Sequence, residues 1–169
     1  MIHDNSEFSM IYLKSAGLFV SDMKSKKLLT VKTVLGSCIS VTMFHHHSGI
    51  AAICHAVLPV CLERDFCKIS CKEPYKYVNC VIPDMASRFR KYGIDPEEIE
   101  VKLFGGADMF PLKTEREKLH SVGRQNIEAA INSINAEHLR LKTADVGGDV
   151  GRKIFFYTST GEVRLKYLK

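Results

Sequence analysis

A cysteine and a histidine seventeen positions apart, Cys38 and His55, have the side chains of an acyl-transfer centre. Only the thiolate of a cysteine attacks a carbonyl, and a free thiol is mostly protonated at neutral pH. An imidazole within reach takes that proton and later hands it to a departing amine, which is the chemistry of amide cleavage. The cysteine closes the run Leu35-Gly36-Ser37-Cys38. Gly36 permits a tight backbone there, so successive N–H groups around Ser37 and Cys38 form a candidate oxyanion hole, with the Ser37 side chain in a supporting role. Such a reaction needs no metal and no organic cofactor. Buried free cysteines and hydrogen-bonded core histidines are common, so residue type alone leaves a packing role open for both.

The elements that must position this pair are two strands. Residues 39–44 and 50–57 are β-branched and apolar, joined by the turn His45-His46-His47-Ser48. A symmetric loop at that turn sets Phe44 opposite Gly49, Met43 opposite Ile50, and Cys38 opposite His55. Directly opposed side chains have Cβ atoms about 4.5–5.5 Å apart, so this register predicts a thiol–imidazole contact. It also sorts the faces. Ile39, Val41 and Met43 with Cys54, Ala52 and Ile50 make an apolar face that assigns Cys54 to the core. Cys38, Ser40 and Thr42 with His55, Ile53 and Ala51 make a smaller, more polar one.

Around this hairpin, residues 16–20, 28–35, 99–104, 139–146, 153–158 and 162–167 also read as strands, the last two as a hairpin about Thr160-Gly161. Helical spacing of Val78, Val81, Ile82, Met85 and Phe89 predicts a helix over 77–92, with Pro83 implying a kink or a start near it. A second helix is predicted over 125–136 from Ile127, Ala130, Ile131 and Ile134. Residues 1–15 read as a polar lead-in, 61–74 as an irregular cysteine-rich loop, and 16–169 as a single domain. Many strands with two helices argue for an α+β fold with mixed sheet topology.

Composition narrows the function classes. The 169 residues carry a net charge of +5 at pH 7, with basic residues spread along the chain rather than interleaved with aromatics, which argues against nucleic-acid binding. No run of 18 apolar residues exists, so no membrane insertion is expected. The start Met1-Ile2-His3-Asp4 lacks the basic and apolar regions of a signal peptide, so the six cysteines are expected as reduced thiols in the cytoplasm.

Longer words then carry a resemblance. Residues 33–41, Thr-Val-Leu-Gly-Ser-Cys-Ile-Ser-Val, and His55-Ala56-Val57-Leu58-Pro59 are joined by Val101-Lys102-Leu103-Phe104-Gly105-Gly106-Ala107-Asp108-Met109-Phe110. Gly123-Arg124-Gln125-Asn126, Asp145-Val146-Gly147-Gly148 and Gly151-Arg152-Lys153 follow in order. Together these resemble the CheD family of chemoreceptor glutamine deamidases over nearly all the chain after its first fifteen residues. The resemblance implies hydrolysis of selected glutamine side-chain amides on methyl-accepting chemotaxis receptors, giving glutamate and ammonia. It implies an α/β sandwich related to the catalytic domain of cytotoxic necrotizing factor toxins, with 16–169 as the deamidase domain, and a possible partner in the CheC phosphatase. Its nucleophile and histidine carry over onto Cys38 and His55. The family's upstream threonine, six residues before the cysteine, falls on Lys32 here, and the neighbouring Thr33 is the candidate third group. The alternative function is a non-catalytic chemotaxis adaptor that binds receptors or CheC.

Other features have plainer readings. Cys61, Cys67, Cys71 and Cys80 contain no CxxC pair, so no metal site is expected from them. His45, His46 and His47 are expected on a solvated turn. Gly105-Gly106 and Gly147-Gly148 lack a P-loop lysine and read as turns of positive φ bordering the site. Arg124 and Asn126 open the second helix and are expected to cap and pack it.

Overall fold

The central strand is buried along its whole length, and the layers are arranged around it. A computed structural model of the chain describes residues 9–21, 28–62, 71–109, 114, 116–117 and 120–168. In chain order the strands are β1 (Ser9–Tyr12), β2 (Gly17–Val20), β3 (Leu29–Leu35), β4 (Ile39–His45) and β5 (Ala51–His55). Helix α1 (Val78–Arg90) and a 3₁₀ turn (Pro96–Glu98) lead into β6 (Ile99–Gly105). Helix α2 (Val122–Ala136), β7 (Leu141–Val146), β8 (Arg152–Tyr157) and β9 (Val163–Tyr167) complete the described elements.

Two sheets result, a four-stranded one of order β1-β3-β8-β9 and a five-stranded one of order β2-β5-β4-β6-β7. Each is mixed: β1–β3 and β6–β7 are parallel pairs and the others antiparallel. The fold is the expected α+β sandwich with two main helices. All seven residues of β4 are buried because both faces of its sheet are covered. On one face Ile39, Val41 and Met43 pack with Cys54, Ala52 and Ile50 under Val81, Ile82, Met85 and Phe89 of α1 and Ala130 and Ile134 of α2. On the other, Phe44, Ile53 and Phe104 meet Val31, Leu35, Ile154 and Phe156 of the four-stranded sheet. Each such fully buried large side chain contributes about 1.5–3 kcal/mol of hydrophobic stabilisation.

Several sequence expectations shift. Helix α1 begins at Val78, not near Pro83, and continues through the proline, because Val78, Val81, Ile82 and Met85 on both sides of it are fully buried. Helix α2 begins three residues before Gln125: Ser121 is its N-cap, its hydroxyl accepting from the Arg124 N–H, so Arg124 and Asn126 lie inside the helix. Strand β1 lies within the stretch read as a polar lead-in. Its Met10 and Tyr12 are exposed, so its apolar residues do not mark a buried face. Residues 63–70, including Cys67 of the cysteine-rich loop, lie outside the described residues.

The β4–β5 register is also corrected. Phe44 pairs with Ala51, Met43 with Ala52 and Thr42 with Ile53, and an isolated bridge joins Ile39 to Ala56. The loop is 46–49 rather than 45–48: the His45 N–H donates to the Ile50 carbonyl and the Gly49 N–H to that of His45. Gly49 makes this possible with φ of 71°, a conformation that costs glycine nothing. His45 is therefore buried at the end of β4, while His46 and His47 are exposed as expected of a turn. The register slips by two residues, an even number, so every side chain keeps the face assigned to it.

Candidate active site

His55 ends β5 on the face between the two sheets and is almost fully buried. Its partner comes from the opposite sheet. Thr33 of β3 is fully buried, and its Oγ1 lies 2.7 Å from His55 Nδ1 and 2.8 Å from the Leu13 carbonyl oxygen. A carbonyl can only accept, so the single hydroxyl proton of Thr33 goes to Leu13. The contact with the ring must then be Nδ1–H donating to Thr33, which leaves the lone pair on Nε2. That Nε2 is buried and has no partner among the described residues. Burial lowers the His55 pKa from the ordinary histidine value, and the Leu13 carbonyl opposes the shift, so the ring is neutral at pH 7 and its Nε2 is a ready proton acceptor.

Cys38 lies in the turn between β3 and β4, packed against the inter-sheet core and partly exposed. In the observed register its cross-strand position is that of Val57, so His55 is a diagonal neighbour on the same face rather than directly opposite. Diagonal positions about 7–8 Å apart at the backbone still allow long side chains to meet. Burial raises the Cys38 pKa, and its own backbone N–H counters this by favouring the thiolate. Thiol and imidazole are therefore both uncharged at rest, and a proton moves between them when attack begins.

The three peptide carbonyls around the cysteine are all engaged. The Gly36 carbonyl accepts from the Ala107 N–H at 2.9 Å, and the Cys38 carbonyl from the Gly106 N–H at 2.8 Å. The Ser37 carbonyl accepts from Asn126 Nδ2, also at 2.9 Å. Gly105 and Gly106 have φ of 108° and 69°, and a Cβ on Gly105 would lie 2.2 Å from the Cys38 carbonyl oxygen. The Gly105-Gly106 turn thus borders the candidate nucleophile as expected, and only glycine fits so close an approach. The N–H groups of Ser37 and Cys38 bond to no backbone carbonyl among the described residues, as an oxyanion hole requires.

Lys32 stands outside this arrangement. It alternates with the buried Val31 and Thr33 along β3 and so faces away from His55. Arg152, which the sequence shows only as part of a motif, is buried and bridges the sheets: it donates to the Gly105 and Gly147 carbonyls at 3.1 and 3.0 Å and pairs with Asp145 at 2.8 Å. Ser40, assigned from the sequence only to the face of Cys38 and His55, has a closer relation to the histidine. It is fully buried at the position opposite His55, and its hydroxyl has no partner among the described residues. Neither role was visible in residue type; the recurrence of Gly-Gly beside each strand end was the available signal for a crowded corner. No cluster of metal-ligating side chains gathers among the described residues.

Fold and site together define a class: an α+β two-sheet domain that sets a cysteine at a strand-connecting turn, on the same sheet face as a buried histidine whose Nδ1 meets a threonine hydroxyl. The family described as CheD chemotactic sensory transduction matches residues 63–167. The chain is 46% identical over 142 residues to the probable chemoreceptor glutamine deamidase CheD 2 of Geobacter sulfurreducens, covering 84% of this chain and 82% of that relative. It is 40% identical over 146 residues to the probable chemoreceptor glutamine deamidase CheD of Oleidesulfovibrio alaskensis, covering 85% and 68% respectively. The corresponding protein of Maridesulfovibrio salexigens is 32% identical over 170 residues, covering 100% of this chain and 98% of its own. The chain belongs to the CheD family.

Proposed function

We propose that this protein is a cysteine-dependent glutamine deamidase acting on methyl-accepting chemotaxis receptors, with Cys38 as nucleophile, His55 as base and acid, and Thr33 as the residue that orients the imidazole. The observation that carries the mechanism is the buried Thr33–His55 hydrogen bond, which leaves the Nε2 lone pair of His55 unpartnered on the face shared with Cys38. His55 Nε2 takes the thiol proton as sulfur adds to the glutamine side-chain carbonyl carbon. The Ser37 and Cys38 N–H groups, in a backbone made tight by Gly36, hold the oxyanion. His55 returns the proton to the amide nitrogen, the C–N bond breaks, and ammonia leaves a thioester on Cys38. Water, deprotonated by His55, then cleaves the thioester to glutamate and regenerates the thiol.

No step uses a metal or cofactor. The names of the relatives support the substrate class. No helix among the described residues is long and apolar enough to cross a membrane, and we place the activity in the cytoplasm, where receptor signalling segments are reached.

The test is mass spectrometry of a chemoreceptor signalling fragment incubated with the protein and with Cys38→Ala. A gain of about one dalton at particular glutamines, lost with Cys38→Ala, is the expected outcome. Equal conversion by the variant would remove Cys38 from the mechanism, and no conversion by either would favour an adaptor. Adding a CheC phosphatase from the same genome to this assay tests that partner, with an unchanged rate counting against it.

A further inference from the structure

Asn126 is fully buried at the second turn of α2, and its amide reaches across to the two strand ends that carry the candidate catalytic pair. Nδ2 donates to the Ser37 carbonyl at 2.9 Å and to the Val57 carbonyl at 3.0 Å. These residues sit where the β4–β5 ladder stops. The last reciprocal backbone rung joins Ile39 and Ala56, and beyond it the Val57 N–H turns away to the Lys76 carbonyl. The Asn126 amide replaces the missing rung. The assignment of nitrogen and oxygen follows from the partners, since two carbonyls can only be met by the NH₂ end.

The helix reaches this point because two glycines let it. A Cβ on Gly123 would lie 2.5 Å from the Gly106 carbonyl oxygen, and one on Gly106 would lie 2.5 Å from Ile127. The first turn of α2 therefore rests directly on the Gly105-Gly106 turn, which itself holds the Cys38 carbonyl.

We propose that Asn126 is a positioning residue that aims the Cys38 N–H at the oxyanion. A trans peptide is planar, with its C=O and N–H pointing in opposite directions. Holding the Ser37 carbonyl toward the helix layer turns the N–H of the same peptide, that of Cys38, toward the opposite side, where the Cys38 side chain packs against the inter-sheet core. The Ala107 bond to the Gly36 carbonyl does the same for the Ser37 N–H. Two peptides are thus locked before substrate arrives, so no reorientation is needed as charge develops. Residue type alone gave Asn126 only a packing role; the structure gives it a donor role toward the backbone of the nucleophile.

This inference rests on the deamidase reading, and the experiment separates the two. Asn126→Ala and the near-isosteric Asn126→Asp are assayed for deamidation of a receptor fragment and, separately, for alkylation of Cys38 by iodoacetamide. Alkylation is displacement at a saturated carbon and forms no oxyanion, so it reports thiol and imidazole but not the hole. Expected is a kcat loss of about 100-fold or more, with KM and alkylation rate within about twofold of wild type. A kcat within about threefold of wild type overturns the proposal, as does a parallel loss of kcat and alkylation, which would mark a merely structural role. Asn126→Asp keeps the volume and is decisive where Asn126→Ala does not melt cooperatively. Failure of the wild-type chain to deamidate would sink the underlying reading, whereas an unimpaired Asn126→Ala beside an inactive Cys38→Ala sinks this inference alone.

Discussion

Cys38, in the turn that leads into β4, and Cys54, on β5, lie sixteen positions apart, yet the two faces of the β4–β5 hairpin give them opposite chemistry. Cys54 points into the helix-covered core, fully buried among Val41, Ala52 and Val81, with the Val41 N–H donating to its sulfur at 3.4 Å. Burial pushes its thiol up to about 12. Cys38 packs against the inter-sheet core, partly exposed and one diagonal step from a neutral imidazole. A cysteine is made into a candidate nucleophile here less by its neighbours in sequence than by which side of a sheet it occupies. One side offers apolar side chains; the other offers an imidazole, a hydroxyl bonded to it and N–H groups that bond to no backbone carbonyl among the described residues.

The largest expected difference is in thiol labelling of the folded protein. At pH 8 a thiol of pKa about 12 is roughly one part in ten thousand thiolate, and Cys54 is in addition sealed from solvent. Cys38 should react with iodoacetamide on the order of 100-fold faster or more, with Cys54 reacting only on unfolding. Because burial raises the Cys38 pKa, its labelling should still be climbing above pH 8.5 rather than levelling at neutral pH. A plateau between pH 5 and 7, the signature of a preformed thiolate–imidazolium pair, would break the picture of two neutral groups at rest.

This contrast of faces was readable in the sequence, and the reason is period. Alternation along residues 39–57 sorts side chains to two sides whatever the loop length, provided any slip is even. The register itself was not readable, because four-residue loops at 45–48 and 46–49 satisfy the same alternation, and only the Gly49 conformation and the His45–Ile50 rung decide between them. The division into two sheets was equally hidden, since β3 and β4 have similar composition and nothing local says they part company at Gly36. Thr33 could be named only as a nearby threonine; its bond to His55 crosses between sheets. Asn126 lies 89 positions from Ser37, beyond the reach of any local pattern.

The polar side of the comparison is sharpened by Thr33→Val, which keeps the shape and removes the hydroxyl. Without Thr33 Oγ1, His55 loses the acceptor that fixes its tautomer, and the Leu13 carbonyl loses its donor. Deamidation should fall about 10- to 100-fold, with Thr33→Ser recovering most of it. In the proposed mechanism the neutral ring is the base, and burial holds its pKa below the ordinary 6.5, so the acid limb of wild-type kcat/KM should fall below pH 6.5. An acid limb at or above pH 7, or full activity in Thr33→Val, would show that this hydroxyl does not govern the imidazole.

The apolar side gives the smallest effect and the cleanest control. Cys54→Ala removes one buried sulfur from a close-packed cluster that includes Val41, Met85 and Ala130. The loss of its contacts should lower stability by about 1–2 kcal/mol, read as a fall in the denaturation midpoint with unchanged slope. Deamidation should stay within about twofold, because Cys54 faces away from His55 and shares no hydrogen bond with the site. Around Cys54 the two faces meet through the backbone of β4 and β5, with the Asn126 amide of α2 reaching the strand ends separately, so the experiment measures how well that backbone isolates them. A more than tenfold loss of activity at a cost of only about 1 kcal/mol would mean that packing on the helix side sets the position of Cys38 and His55. In that case the separation of the two cysteines by face would fail as an explanation of their roles, and the apolar packing of α1 and α2, beyond the Asn126 amide, would have to be counted among the features that tune the site.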